Sequence, residues 1–298
     1  MNLSQLEAFL LLADGLSVTE TSERLHCTQP SISIKIKKLE EQLKTVLFER
    51  INNRLHLTPQ GKLYQQYASQ IMNMIDTSSR HMRQFDDPNK GEIKLGASHF
   101  VGVYYLPQVI AKFKKQYPLV RFSMDISKSH QLLRKLNQQE LDFLVMADNV
   151  AFDENEYKLE SFLSDPFVLI CAPGHQLAKK QSCHFSEVLT QTFIIKSKKS
   201  TTTSFLLAKS QSISSYDGIT NSIEIDSIEG IKQAVIHGLG VSIVSRLSVE
   251  QEINAGLLHA LTIDDINFTR GVRYIHHKNK YLSPATQNFL SMLKGVVD

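Results

Sequence analysis

Cysteine is scarce in this sequence, and its three residues, Cys27, Cys171 and Cys183, are too scattered for a disulfide framework and lack C-x-x-C spacing. They read as reduced thiols. Cys183 next to His184 offers a redox pair or half a metal site on paper, but a lone Cys-His pair on a surface is ordinarily neither, so no metal and no cofactor are expected. No apolar run reaches the roughly 20 residues of a membrane span, and Glu7 and Asp14 interrupt the first apolar helix. The expectation is a cytoplasmic protein with neither a secretion signal nor a membrane partner. The Gly238-Leu239-Gly240 turn has no G-x-G-x-x-G around it and reads as a helix-to-strand turn. No serine, cysteine or carboxylate falls into a matched triad or metal set, so an enzyme with His99 or His130 as base remains only a rival reading.

What is present begins at Ser17, which opens S-x-x-E with Glu20 and so starts a helix on a capping box. That helix ends near Leu25. After a short turn at His26 and Cys27, Thr28 caps a second helix whose first turn tolerates Pro30, because the missing N–H costs no helical bond there. Two helices joined so closely cross sharply, as in a helix-turn-helix.

At about 100° per residue, Ile32, Ile36, Leu39 and Leu43 share one stripe of the second helix and must face the core. The opposite face carries Pro30, Ile34, Lys37 and Lys38, flanked by Gln29 and Ser33, with Thr28 and Ser31 at the N-terminal end where base contacts fall. Gln29 suits adenine, Ser33 a base or a phosphate, the lysines phosphates, and Ile34 a thymine methyl or no contact at all. A hairpin wing follows: apolar Val46, Leu47 and Phe48, then Arg50 and an INNR turn offering Asn53 and Arg54, then alternation from Leu55 to Thr58. From Arg24 to Lys62 eight basic residues face three acidic ones, a surplus above the net +3 of the whole chain. Double-stranded promoter DNA is the partner these features point to.

Thr58-Pro59 starts a long helix running to about Phe85, in which Tyr64, Tyr67, Ile71, Met74, Ser78 and Met82 recur at steps of three and four. Such a stripe is the seam of a helix pair and implies a homodimer, unless it packs on the chain's own second domain. Asp86 to Gly91 reads as the hinge.

Beyond the hinge, strands and helices alternate. Ile93 to Ala97 forms a strand, Val103 to Tyr117 a helix, Val120 to Ile126 a strand, Leu132 to Gln139 a helix and Leu141 to Ala147 a strand, a parallel α/β pattern. The chain is expected to cross to a second lobe near Asp165, where Phe167 to Cys171 starts a new strand. It returns near Arg270, with Val272 to His276 a strand and Pro284 to Val297 a closing helix. The expected domains are 1–58, 59–90 and 91–298, with lobe I about 91–164 and 269–298 and lobe II about 165–268. Ligands in such folds bind at the carboxyl ends of strands. The candidates are Ser98, His99 and Phe100 after the first strand, Ser129 and His130 after the second, Ala147 ending the third, and Ser200, Thr201, Thr202 and Ser227 from lobe II. Ordinary helix capping accounts for many of these hydroxyls taken singly.

Leu6, Phe9, Ala13, Ser17, Arg24, Leu25, Gln29, Pro30, Ser31, Ser33, Ile36, Leu39, Glu40, Leu43, Leu47, Phe48, Arg50, Leu57, Thr58 and Gly61 closely resemble the N-terminal signature of LysR-type transcriptional regulators. The resemblance spans essentially all 298 residues. It implies a winged helix-turn-helix, a long linker helix and a two-lobed periplasmic-binding-protein-like α/β effector domain, α+β to α/β in class. It further implies a homodimer or homotetramer, a small-molecule effector of anionic character and contact with RNA polymerase. Thr21 and Ser22 stand where the family usually has alanines, Ile34 where it has arginine on the reading face, and Lys44 where it has glycine. Ser200-Thr201-Thr202 resembles the S-G-T loop that often holds the effector. Thr203 replaces the arginine that often follows that loop, leaving Lys196, Lys198 or Lys199 to supply charge. A ligand-independent regulator with a vestigial pocket, or a solute-binding component, could be built on the same two lobes.

Overall fold

The computed structural model describes residues 1–51, 54–84, 89–197, 200–210 and 221–295. Asn53, Lys198 and Lys199 lie outside the described residues.

The N-terminal unit consists of α1 (Leu3–Ala13), α2 (Val18–Arg24), α3 (Gln29–Leu43), β1 (Phe48–Ile51) and β2 (Arg54–Leu57). Each helix starts where a short polar side chain satisfies an orphan amide. Asn2 and Gln5 bond each other's backbone, Ser17 and Glu20 close a capping box, and Thr28 accepts from the Ser31 amide, with Pro30 in the first turn. Leu6, Phe9, Leu12, Ile32, Leu39 and Leu47 are buried together, with Phe9 ring-packed 5.4 Å from Phe48 and 5.0 Å from Tyr64. Glu40 is less a surface charge than a clamp: its Oε1 accepts from the Leu47 and Phe48 amides at 2.7 and 3.2 Å and fastens α3 to the wing.

The helix α4 (Pro59–Gln84) leaves this unit from a cap in which Thr58 Oγ1 accepts from the Gly61 amide at 2.9 Å and donates to the Val46 carbonyl at 2.8 Å. Position 61 admits glycine alone, since a Cβ there would lie 2.1 Å from the Leu47 carbonyl oxygen. The helix has three faces in use. Ala68 is buried in the N-terminal core, with Tyr64 and Met72 packed against it. Thr77 and Arg80 are buried further along, and Leu63, Tyr67, Ile71, Met74 and Met82 are exposed. Tyr64 therefore departs from the expected seam: it turns toward Phe9 because it lies one position round the helix from Leu63, which takes its place in the stripe.

The rest of the chain forms β3 (Lys90–Ala97), a π-helical turn Val101–Tyr105, α5 (Leu106–Gln116), β4 (Leu119–Ile126), α6 (Ser129–Asn137), β5 (Phe143–Ala147) and β6 (Tyr157–Cys171). It continues through β7 (Ser182–Cys183), α7 (Phe185–Leu189), β8 (Phe193–Ile195), α8 (Thr201–Ser210), β9 (Ser222–Glu224), α9 (Ile228–Ile236), β10 (Ser242–Ser245), α10 (Glu250–Asn254), β11 (His259–Ile263), β12 (Thr269–His277) and α11 (Pro284–Gly295). The expected parallel pattern holds for β4, β3 and β5, but β12 joins β5 and β6 antiparallel, so the sheet is mixed. The helix expected over Val103 to Tyr117 is a π turn followed by α5, and the turn packs closely: a Cβ on Gly102 would meet Ile126 at 2.7 Å.

The expected new strand at Phe167 is instead the second half of one 15-residue strand, β6. Its first half pairs with β12 in lobe I, and its second half with β10 and β11 in lobe II. The first half is only partly covered, whereas Phe167 to Cys171 is buried throughout. A change of burial environment within one strand thus looks like a boundary in sequence.

Lobe I packs on Phe113, Phe143 and Phe289, and lobe II on Phe167, Phe185 and Phe268. Cys171 and Cys183 are both in the lobe II core, so Cys183 is not a surface thiol; burial pushes both thiols up to about 11, which suppresses the thiolate. Gly238, with φ +76°, makes the helix-to-strand turn after α9. Among the described residues no helix is long and apolar enough to cross a membrane, and no group of three or more His, Cys, Asp or Glu is placed to hold a metal ion.

Candidate nucleic-acid interface and interlobe cleft

Burying Ile32, Ile36 and Leu39 turns the opposite side of α3 outward. Thr28, Gln29, Pro30, Ser33, Ile34, Lys37 and Lys38 are exposed there, and Ser31 is half-buried. Ile34 is 53 % exposed, more than an isoleucine needs for packing. Gln29 donates to Thr19 Oγ1 at 3.0 Å, which steadies it at the mouth of the motif and ties α3 to α2. Arg50 and Arg54 are exposed on the wing. The face presents two lysines for phosphate, two arginines beside it, and a short polar and apolar set at the helix N-terminus for base edges.

Three residues that set this module apart have structural consequences. Thr21 is fully buried and its hydroxyl has no partner, whereas Ser22 donates to the Thr19 carbonyl at 2.7 Å. Lys44 caps α3 in the left-handed conformation, φ +53°, which glycine adopts without strain.

The effector candidates divide according to their surroundings. Ser98 follows β3, and its amide donates to the Val145 carbonyl at 3.1 Å. Its hydroxyl is buried with no partner. His99 is exposed, and Phe100 stacks on Arg270, whose Cζ lies 3.7 Å from the ring centre. From lobe II, Thr202 Oγ1 accepts from Arg270 Nη1 at 3.4 Å. Arg270 therefore joins residues of both lobes. Its Nη2 lies 2.9 Å from Asp165 Oδ2, Ser245 donates to Asp165 Oδ1 at 2.6 Å, and Phe167 also packs on it with its ring centre 4.6 Å from Cζ. Burial pushes the Asp165 carboxyl up, opposed by the Arg270 charge and the Ser245 hydroxyl.

In sequence, Asp165 and Arg270 read only as crossing points, and charge is expected beside the Ser200 loop. Thr203 there is buried and donates to the Lys196 carbonyl at 3.1 Å, so it closes the start of α8 instead of facing a ligand. A signal for Arg270 exists in principle: a lone arginine at a crossing point is costly unless it is paired. Ser200 accepts the Ser204 amide through its carbonyl at 3.0 Å, and Thr201 opens α8. Ser129 and His130 open α6 at the end of the neighbouring strand β4, and Ala147 ends β5 at the same sheet edge, buried. Ser227 is the exposed N-cap of α9, with Oγ accepting from Gly230 at 3.3 Å, an ordinary capping role.

A second link between lobes sits beside this cluster. The Tyr104 hydroxyl bonds Glu229 at the start of α9, and Lys232 lies 5.1 Å from the Tyr104 ring centre and 2.8 Å from Glu252. Burial raises the Tyr104 hydroxyl, reinforced by its bond to Glu229.

Residues 3–62 match the family described as "Bacterial regulatory helix-turn-helix protein, lysR family", and residues 86–298 match "LysR substrate binding domain". The chain is similar to a "Probable RuBisCO transcriptional regulator" of Thalassiosira pseudonana, 30% identical over 298 residues, covering 98% of this chain and 96% of that one. It is also 26% identical to the "HTH-type transcriptional regulator CysL" of Bacillus subtilis, over 97% of this chain and 96% of the relative. Among solved structures, a full-length OxyR variant from Pseudomonas aeruginosa superposes with a TM-score of 0.72 at 22% identity, covering 99% of this chain and 94% of that one, a likeness of fold. With a reading helix exposed at one end, a two-lobed domain at the other and both halves matched, this chain belongs to the LysR family and is a transcriptional regulator, not an enzyme.

Proposed function

We propose that this regulator binds an interrupted palindromic promoter site through α3 and the wing of paired subunits, and answers to a small anionic metabolite held between the lobes. The carrying observation is the Ser98 hydroxyl, buried and unpartnered two residues before Phe100, while Phe100 and Thr202 meet across a single Arg270 guanidinium. A buried hydroxyl without a partner is costly, and a ligand acceptor would repay it. Arg270 is already neutralised by Asp165, so an anion here would rely on hydroxyls and on the backbone amides that follow Ser98 and open α8. Ligand binding would shift lobe closure, and with it the arrangement of a dimer or tetramer, the bending of DNA and contact with RNA polymerase in the cytoplasm.

Both halves of the reading are tested on the full chain. In fluorescence anisotropy with promoter and random duplexes, Lys37→Ala should weaken binding to every sequence and flatten its salt dependence, and Gln29→Ala should relax discrimination at particular base pairs. Parental behaviour in both variants would remove α3 from the interface. A thermal-shift screen of small carboxylates and phosphates should yield a compound whose stabilisation is lost in Ser98→Ala and Thr202→Val; no shift with any anion would favour a ligand-independent regulator.

A further inference from the structure

Gln29 is the first residue of α3 and Thr19 the second of α2, and the 3.0 Å bond between their side chains joins the two helices of the motif on its exposed side. Both ends of that bond are held. Ser17 and Glu20 close their capping box around Thr19, and Ser22 donates to the Thr19 carbonyl at 2.7 Å. The following turn is pinned by the Cys27 amide, which donates to the Ser22 carbonyl at 2.9 Å, and Thr28 then caps α3 one residue before Gln29. The direction of the bond matters. Gln29 Nε2 is the donor and Thr19 Oγ1 the acceptor. One of the amide's two N–H groups is thereby spent on Thr19, which leaves one N–H and the carbonyl oxygen Oε1 for DNA. In the major groove adenine presents the acceptor N7 beside the N6 amino donor, whereas guanine presents two acceptors, N7 and O6. One donor and one acceptor match adenine. Against guanine, Oε1 would face an acceptor. An untied glutamine amide turns freely about its last torsion and can offer both N–H groups to guanine.

We propose that Thr19 is a positioning residue for base recognition: it fixes the Gln29 amide in the orientation that accepts adenine and rejects guanine at one base pair of each half-site. This rests on α3 being the reading helix of the regulator. Anchoring the amide before DNA arrives also lowers the cost of ordering a long side chain on binding.

Selection of bound sequences from a randomised duplex library by the full chain, followed by anisotropy titration of the selected duplex and its single-base variants, tests this. The parent should favour adenine over guanine by about tenfold or more at one position of each half-site, and Gln29→Ala should lose that preference. Thr19→Val, which keeps the branched shape and removes the acceptor, should lose the same preference and no other, and Thr19→Ser should retain it. Both residues are exposed, so these changes should leave the fold intact. Adding Thr19→Val to Gln29→Ala should change nothing further, because the two act as one unit. The proposal fails if Thr19→Val weakens every duplex by the same factor and keeps the adenine preference, which would make Thr19 a phosphate contact. It fails as well if the position lost in Gln29→Ala favours guanine, since Thr19 would then hold Oε1 with the amide turned over. Loss of preference in Gln29→Ala with parental preference in Thr19→Val condemns the tie alone. If Gln29→Ala alters no preference, Gln29 reads no base, and its part in the reading helix falls together with the tie.

Discussion

Arg270 and Asp165, 105 positions apart, form a buried ion pair at 2.9 Å where β12 and β6 cross between the lobes. Neither charge could remain there alone. Arg270→Ala should lose about 3–5 kcal/mol in urea denaturation, because Asp165 is left buried without a counter-charge and with only the Ser245 hydroxyl, and replacing both together with Arg270→Met and Asp165→Leu should cost much less. Equal losses in the single and double variants would mean that the guanidinium matters only for packing against Phe100 and Phe167.

Two positions in the DNA-binding unit are open to improvement. Lys44→Gly removes left-handed strain at the end of α3, and Thr21→Val keeps the branched shape while deleting an orphaned hydroxyl. Each should stabilise the unit by about 0.5–1 kcal/mol, read as a higher melting temperature with DNA affinity retained. A lower melting temperature for Thr21→Val would show that the hydroxyl is satisfied in solution.

Tyr67, Ile71 and Met74 form an exposed stripe along α4 with Leu63 and Met82. Ile71→Glu should dissociate the assembly, since burying an unpaired charge in a helix pair costs several kcal/mol, on the order of many dimer stabilities. Light scattering at low protein concentration reads the mass directly. An unchanged mass would assign the stripe to a different contact.

Burial lowers the imidazole pKa of both His276 and His277 from the ordinary value of 6.5. The folded state therefore binds fewer protons than the unfolded state below pH 6.5, so stability is full above that pH and falls as the pH drops toward the folded-state values. Urea midpoints between pH 7.5 and 5 should decline, and His277→Leu should make the decline shallower. Identical slopes for parent and variant would show that His277 does not titrate on unfolding.

Legibility follows the range of the interaction. The Ser17–Glu20 capping box, the Thr28 cap, the α3 stripe and the basic wing rest on residues within a few positions of one another, and they stand in the structure where spacing puts them. Tyr64 leaves its expected place because two adjacent positions of a long helix both carry the period, and only the location of Phe9 tells them apart. β6 reads as two strands because its halves lie in different surroundings.

The sequence alone determined the helix starts of the N-terminal unit, the outward face of α3 and the family, since caps, turns and hydrophobic periods are local properties of the chain. Tertiary structure decided the cleft. Arg270 became its centre through partners at positions 100, 165 and 202. The cost of burying a charge depends on what surrounds it, and long-range packing alone brings those partners together.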